Sequence, residues 1–431
     1  MNELLETDRN HVWHPFSALQ QTTDLPLITK GSGPYLYTAQ GNRIIDAISS
    51  WWVNLHGHAH PDIANAIATQ AQQLEHVIFA GFTHEPAIRL TENLLTILPE
   101  NYQRVFFSDN GSTAVEVALK MAIQYWSNRG VKKQKIIALH GAYHGDTFGA
   151  MAVGERGLFT RPFFPYLFDV VFVDFPSDEG RVLAQMETEL RSGEVAAFIF
   201  EPLVQAAAGM RMYSPSVLDK MVALAHSADA LCIADEVFTG FGRTGTYFAV
   251  DQLTNKPDII ALSKGITGGF LPLGVTACHE EVADAFSSNE VSKTFFHGHS
   301  YTANPLACAA ANASFNLLAG DECQSRIRMI SSMHSEFAES ILHHSSVAEI
   351  RTQGTLLAIE LRTQEETSYT NRLREIIYPW FMKRGVLMRP LGNVIYLVPP
   401  YCTGKDDLQY IYDSIREFLY ALEDNTLEAN L

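Results

Sequence analysis

Residues 230–265 read ALCIADEVFTGFGRTGTYFAVDQLTNKPDIIALSKG. Two short apolar runs lie in this stretch, ALCIA at 230–234 and IIAL at 259–262, and neither alternates apolar with polar. A strand that is apolar on both faces needs cover on both faces, the habit of mostly parallel sheets. The first run ends in Asp235-Glu236 and the second in Lys264. Ligands of open α/β sheets collect beyond the carboxyl ends of the strands, so Asp235 and Lys264 are candidate site residues.

Outward from this stretch the same pattern repeats. RVFFSD (104–109), KIIALHG (135–141), DVVFVDFP (169–176), VAAFIFEP (195–202) and LPLGVTAC (271–278) bring the apolar runs to seven. Helical segments separate them, which predicts a mostly parallel seven-stranded sheet in one large α/β domain over residues 60–318. The helix expected at PDIANAIATQAQQL (61–74) places Ile63, Ile67, Ala71 and Leu74 on one face. Both ends of the chain look different. PLITKGSGPYLYT (26–38) and QGNRIIDAIS (40–49) read as hairpins, and amphipathic helices near 324–343 and 368–384 flank TLLAIELR and VIYLVPPY. Residues 1–59 and 319–431 are therefore expected to form a smaller, discontinuous α+β domain.

Composition narrows the class of partner. The chain has 431 residues and 31 Lys+Arg against 48 Asp+Glu, a net charge of −17. Without a basic cluster, nucleic acid and anionic membrane are poor partners. No run approaches the ~20 apolar residues that a bilayer span needs. MNELLETDRN lacks the features of a secretory signal, and the five cysteines are scattered, so a cytoplasmic location is expected.

Two motifs have plain alternative readings. GFGRTG at 240–245 fits G-x-G-x-x-G, but DEVFT separates it from the strand and TYFAV is a poor helix start, so a structural or active-site loop is the better reading. The triplet His56, His58 and His60 and the pairs His140/His144 and His297/His299 raise a metal-dependent hydrolase as a rival. Gly57 and Pro61 favour a loop-to-helix junction that scatters the first three rings, so no metal is expected.

A third strand end completes a chemical set. VFFSDNGSTAVEVALKMA (105–122) ends a strand at Ser108 and opens a helix through Asn110-Gly111-Ser112-Thr113, with Ala114, Val117, Ala118, Met121 and Tyr125 on one face. Singly, these are a helix cap, a turn-forming Asp235 and a strand-end Lys264. Together they supply what pyridoxal phosphate requires: helix N–H groups for the phosphate, a carboxylate for the pyridine nitrogen and an amine for the aldehyde.

The ordered run ADEV…GFGRTG…PDIIALSKGITGG resembles the class III, fold-type I aminotransferases. HVWHPF, SSWWVNLHGHAHP, AYHGDTFGAM, EPLVQAAAGMRMY, NPLACAAANAS and RPLGNVIYLVPPY extend the similarity over nearly the whole chain. They narrow it to the branch that aminates 8-amino-7-oxononanoate in biotin biosynthesis. The resemblance implies pyridoxal 5'-phosphate as cofactor, Lys264 as the Schiff-base lysine and Asp235 as partner of the pyridine nitrogen. It puts Gly111 and Ser112 on the phosphate, with Ser300 reaching in from the partner subunit of a homodimer, and stacks Tyr143 on the ring near Asp146. It lines the substrate site with Trp51, Arg243, Gly298 and Tyr396, and makes Arg389 the clamp on the substrate carboxylate. S-adenosyl-L-methionine is the implied amino donor. Phe16 stands where many relatives carry Tyr, and VNLHGH and FFHGHSYT are shared with relatives that use lysine, whereas His299-Ser300 in place of Pro-Thr keeps the hydroxyl expected on the phosphate. Other class III ω-aminotransferases stay open as alternatives.

Overall fold

The computed structural model describes residues 2–20, 25–365, 367–424 and 426. The seven apolar runs become the seven strands of one sheet. Its order is Tyr102–Ser108, Gly274–His279, Ile259–Leu262, Leu231–Asp235, Val195–Phe200, Lys135–Leu139, Val171–Val173. Gly274–His279 runs antiparallel to both neighbours and the remaining pairs are parallel. The central strands Leu231–Asp235 and Ile259–Leu262 are buried at every residue, as their unbroken apolar character requires.

Helix Gly111–Asn128 covers one face and buries Ala114, Val117, Ala118, Met121 and Tyr125, the side expected from the sequence. Its start is fixed by a reciprocal cap: the Thr113 N–H donates to Asn110 Oδ1, and the Asn110 N–H to Thr113 Oγ1. Helix Pro61–Gln73 forms, but its buried face is narrower than expected. Ile63 is buried, Ile67 and Leu74 are half-buried, and Ala71 faces outward. The expected helix at 368–384 is shorter, Arg374–Lys383, because Asn371 Oδ1 takes the Leu373 N–H in a turn ahead of it.

The chain ends meet in smaller sheets. Ile28–Ser32, Tyr35–Thr38 and Arg43–Asp46 form an antiparallel set, and Val386–Leu387 joins it in parallel beside Arg43–Asp46. Val347–Gln353, Leu356–Leu361 and Val394–Leu397 form a three-stranded antiparallel sheet. Among the described residues no helix is long and apolar enough to cross a membrane.

Between these units lies a stretch of unusual backbone. Ser49, Ser50, Trp51 and Trp52 all have positive φ (51°, 45°, 69° and 75°), a left-handed turn made without glycine. Such a run costs on the order of 1–2 kcal/mol per residue and persists only where the surroundings hold it. Ser49 Oγ donates to the Val398 carbonyl, and Ser50 Oγ to Asp46 Oδ2. From the far side, Arg243 donates to the carbonyls of Trp52, Asn54 and Pro399.

Candidate active site

A cavity of about 660 Å³ opens beyond the carboxyl ends of the parallel strands. Four parts of its wall are segments that follow strands: Asp109–Ser112 after Ser108, Tyr143–Thr147 after Leu139, Glu201 after Phe200, and Lys264 after Leu262. Asp235 ends its own strand on the floor, and Trp52 and Phe238 supply aromatic walls.

At one end sits the N-terminus of helix Gly111–Asn128. Amides in the first turn of a helix have no carbonyl one turn back, so they and the helix dipole favour an anion. The backbone there is tightly enclosed. A Cβ on Gly111 would lie 2.6 Å from Val237 Cγ1, and one on Gly145 only 2.1 Å from Ser112 Oγ. Ser112 Oγ accepts the Asp146 N–H, which ties the Tyr143–Thr147 wall to the helix.

At the other end, His144 Nδ1 and Asp235 Oδ2 are 2.7 Å apart, both side chains buried. The other oxygen of Asp235 accepts the Val237 N–H. Lys264 sits above with φ 42°, a left-handed conformation that a lysine adopts only under constraint. Its Nζ lies 4.7 Å from the Trp52 ring centroid and 5.7 Å from that of Phe238. Burial pulls the amine down to about 8, against the opposing pull of Asp235 and Glu201. Tyr143 is half-exposed over the cavity and its hydroxyl donates to Asp146 Oδ2. Burial raises its phenol, with Asp146 adding to the effect.

The structure thus brings Lys264, Asp235, Tyr143, Gly111 and Ser112 to one cavity. The remaining sequence candidates lie elsewhere in the single chain. Ser300 and Gly298 are exposed and outside the cavity. Trp51 is not among the residues that line the cavity, and its ring stacks under the Arg389 guanidinium, 4.5 Å from ring centroid to Cζ. Its neighbour Trp52 is the ring that lines the cavity, and Tyr396 packs edge-on to Trp52 from behind, fully buried. Arg243 is buried with three carbonyl partners, so it secures the left-handed turn without lining the cavity itself. Gly242, inside GFGRTG, has φ 97° and would bring a Cβ within 2.8 Å of Ile327 Cδ1, the close approach that explains the glycine.

Sequence reasoning overlooked Glu201. Its carboxylate accepts the Tyr143 N–H on one oxygen and the Ala206 N–H on the other, inside the cavity wall. The available signal was a carboxylate directly after the apolar run VAAFIF. The histidines of 56–60 are dispersed: His56 bonds Ser314, and His58 bonds Asp46 and Asn54. Among the described residues one group has metal-ligand spacing, His226, Cys232 and Asp258. Asp258 Oδ2 in it already meets His226 Nε2 and accepts the main-chain N–H of Cys232, while Cys232 Sγ turns to the Val222 carbonyl.

Comparison with known proteins then decides the family. The family model described as aminotransferase class-III matches residues 17–419. The chain belongs to the class-III aminotransferases. It is similar to adenosylmethionine-8-amino-7-oxononanoate aminotransferase of Synechococcus elongatus, 50% identical over 95% of this chain and 98% of the relative. The relative of the same name from Geobacter sulfurreducens is 36% identical over 97% and 98%. A crystal structure of that aminotransferase from Methanocaldococcus jannaschii is 34% identical, with a TM-score of 0.93 over 97% of this chain and 99% of that one. An amine transaminase from an uncultivated Pseudomonas species, solved in its PLP-bound form, is 29% identical with a TM-score of 0.88 over 94% and 97%. The chain is thus a pyridoxal-phosphate-dependent aminotransferase of fold type I, as its sequence indicated.

The site's own residues fit that cofactor. A helix N-terminus, held against Val237 by Gly111, faces the Lys264 amine and a buried carboxylate across one cavity. His144 Nε2 and Thr147 Oγ1 are buried there with no protein partner. Polar atoms left that way are costly unless a bound group meets them.

Proposed function

We propose that this chain aminates 8-amino-7-oxononanoate to 7,8-diaminononanoate, a step of biotin biosynthesis, with S-adenosyl-L-methionine as amino donor. The observation that carries the reading is the 50% identity, over nearly the full length of both chains, to a relative of that name.

Residue roles follow from position. The amides of Gly111 and Ser112 hold the cofactor phosphate, and Asp235, oriented by His144, faces the pyridine nitrogen. Pyridoxal phosphate supplies an aldehyde that receives the amino group and a ring that withdraws electrons. Lys264 Nζ takes the proton from the substrate carbon and returns it, a task suited to an amine whose pKa is lowered toward neutrality. Tyr143 covers the ring, and the Trp52 and Phe238 rings exclude water from the amine. Arg389 receives the substrate carboxylate and Trp51 its aliphatic chain; binding at that distance from the reacting carbon orients the molecule. Both substrates use the cavity in turn, which gives ping-pong kinetics.

Phe16 supports a second reading, lysine as donor. Its ring packs edge-on to Trp51 at 5.2 Å and presents no hydroxyl to a donor. One assay separates the two: diamine formation by the purified holoenzyme, with S-adenosyl-L-methionine and lysine supplied separately. Turnover with the first is the expected result. Turnover with lysine alone moves the donor, and turnover with neither, but with another ω-amine, overturns the substrate as well.

We further read residues 60–318 as the cofactor-binding domain, with 1–59 and 319–431 as the smaller one, in a cytoplasmic homodimer. The five cysteines are free. Ile78, Phe82, Phe296 and Tyr301 expose large apolar side chains, a surface suited to a second copy that brings its Ser300 and Gly298 to this cavity. Light scattering at twice the 48.0 kDa chain mass is the expected result.

A further inference from the structure

Glu201 lies at the carboxyl end of the strand Val195–Phe200, between two irregular segments. One is its own loop, which reaches Met210 and contains two non-glycine residues at positive φ, Leu203 at 65° and Met210 at 54°. The other is the Gly141–Asp146 segment, which carries Tyr143 and His144. The two oxygens of the carboxylate are divided between them. Oε2 accepts the Tyr143 N–H at 3.0 Å and Oε1 the Ala206 N–H at 3.3 Å. A neighbouring bond runs the same way, from Gln205 Nε2 to the His140 carbonyl. Only a side chain with two acceptor oxygens satisfies both amides; a carboxamide offers one acceptor and turns a donor toward the other N–H.

Charge gives the residue a second reach. Glu201 is buried in the cavity wall, and the ionisable groups around it are His144, Asp235, Tyr143, Lys264 and Tyr213. Burial pushes its carboxyl up to about 7, with Asp235 adding to the rise and His144 opposing it. Its anionic form favours the protonated state of the Lys264 amine.

We propose that Glu201 is a positioning residue for transamination: its carboxylate fastens the Tyr143–His144 segment over the cofactor, and its charge helps to set the protonation of the lysine nitrogen. The proposal rests on pyridoxal-phosphate chemistry, which family membership gives. It does not rest on the identity of either substrate.

The test uses the holoenzyme and two variants. The pH titration of the bound cofactor's absorbance reports the protonation of the lysine nitrogen and needs no substrate. Glu201→Gln removes the charge and one acceptor. The expected result is a titration midpoint lower by about one pH unit, together with a roughly tenfold lower kcat at little-changed KM for any accepted donor. Glu201→Asp keeps the charge but withdraws it from the two amides. Its midpoint stays near that of the wild type while kcat falls. A Gln variant with an unmoved midpoint, or an Asp variant with wild-type kcat, overturns the proposal. Should neither variant fold, amide hydrogen exchange in the wild-type holoenzyme decides. Slow exchange at Tyr143 and Ala206 supports the proposal, and exchange at the rate of an exposed loop overturns it. If the donor assignment fails while these outcomes hold, Glu201 keeps its role in an aminotransferase of other substrates.

Discussion

The guanidinium of Arg389 stands 4.5 Å over the ring of Trp51, and among the described residues no carboxylate or hydrogen-bond acceptor meets it. A half-buried arginine usually finds an anion of its own, as Arg351 does with Glu349 and Glu360. At Arg389 the partner is a flat aromatic surface, which fixes the direction of the fork and leaves its donors free. Carboxylates are recognised by such a fork.

Arg389→Ala should therefore raise KM for a carboxylate-bearing acceptor by about 30- to 100-fold, the equivalent of roughly 2–3 kcal/mol for a charge-assisted pair. An amine substrate without a carboxylate should be turned over at an almost unchanged rate. Steady-state kinetics on the two substrate types checks this, and equal losses on both would place the carboxylate elsewhere.

Lys264→Ala should abolish turnover, because no other amine lines the cavity to move the proton. Borohydride treatment should fix the cofactor to the wild-type chain but not to the variant, as read by mass spectrometry. The cofactor-free variant should also gain stability, on the order of 1–2 kcal/mol at pH 7. Its side chain no longer buries an amine, and the gain is the usual exchange of stability for function. A denaturant titration that finds a loss of that size instead would show the lysine stem to be a packing element.

How much of this was legible beforehand varies with the physics involved. All seven sheet strands could be read because burial on both faces leaves an unbroken apolar run. The direction of Gly274–His279 could not, since a run of that kind looks the same in a parallel and an antiparallel pair. Lys264 and Asp235 were legible as charges that end such runs. Trp51 and Trp52 were not separable, because the backbone joining them is left-handed and ordinary strand or helix periodicity does not apply. The family resemblance placed Arg243 at the substrate site, yet tertiary contacts 156 to 191 residues away turn it toward three carbonyls. Glu201 is missed for a related reason. It too is a charge that ends an apolar run, but its partners are main-chain amides, which carry no residue-type signal to assign it a role.

Arg243 is accordingly expected to act on stability first. Arg243→Ala leaves the carbonyls of Trp52, Asn54 and Pro399 without its donors in the interior, a loss of at least about 3 kcal/mol. Relaxation of the left-handed turn should shift both tryptophans. The measurements are urea midpoints and the near-ultraviolet dichroism of the aromatic side chains. Arg243→Lys should recover only part of either, since one ammonium does not reproduce a fork that reaches three acceptors. A variant as stable as the wild type would show that the turn holds itself.

Three buried ionisable groups contribute slopes of opposite sign to the stability of the cofactor-free protein. Burial pushes Glu201 up to about 7 and Glu236 up to about 8, both from an ordinary 4.5. Each carboxyl holds its proton more tightly folded than unfolded. Between pH 4.5 and about 8 these two carboxyls keep protons in the native state that they have released in the unfolded chain, so their contribution falls as pH rises, against the rise that buried His56 and His334 give below about pH 6.5. Lys264 behaves oppositely: burial lowers it from 10.5 to about 8. Between about pH 8 and 10.5 the native amine has lost a proton that the unfolded lysine retains, so its contribution raises stability with pH. Relative to the wild type, Glu236→Gln should remove a falling contribution below about pH 8, and Lys264→Met a rising one above it. Urea unfolding midpoints at half-unit pH steps would show both, and a variant curve parallel to the wild type would remove that group from the account.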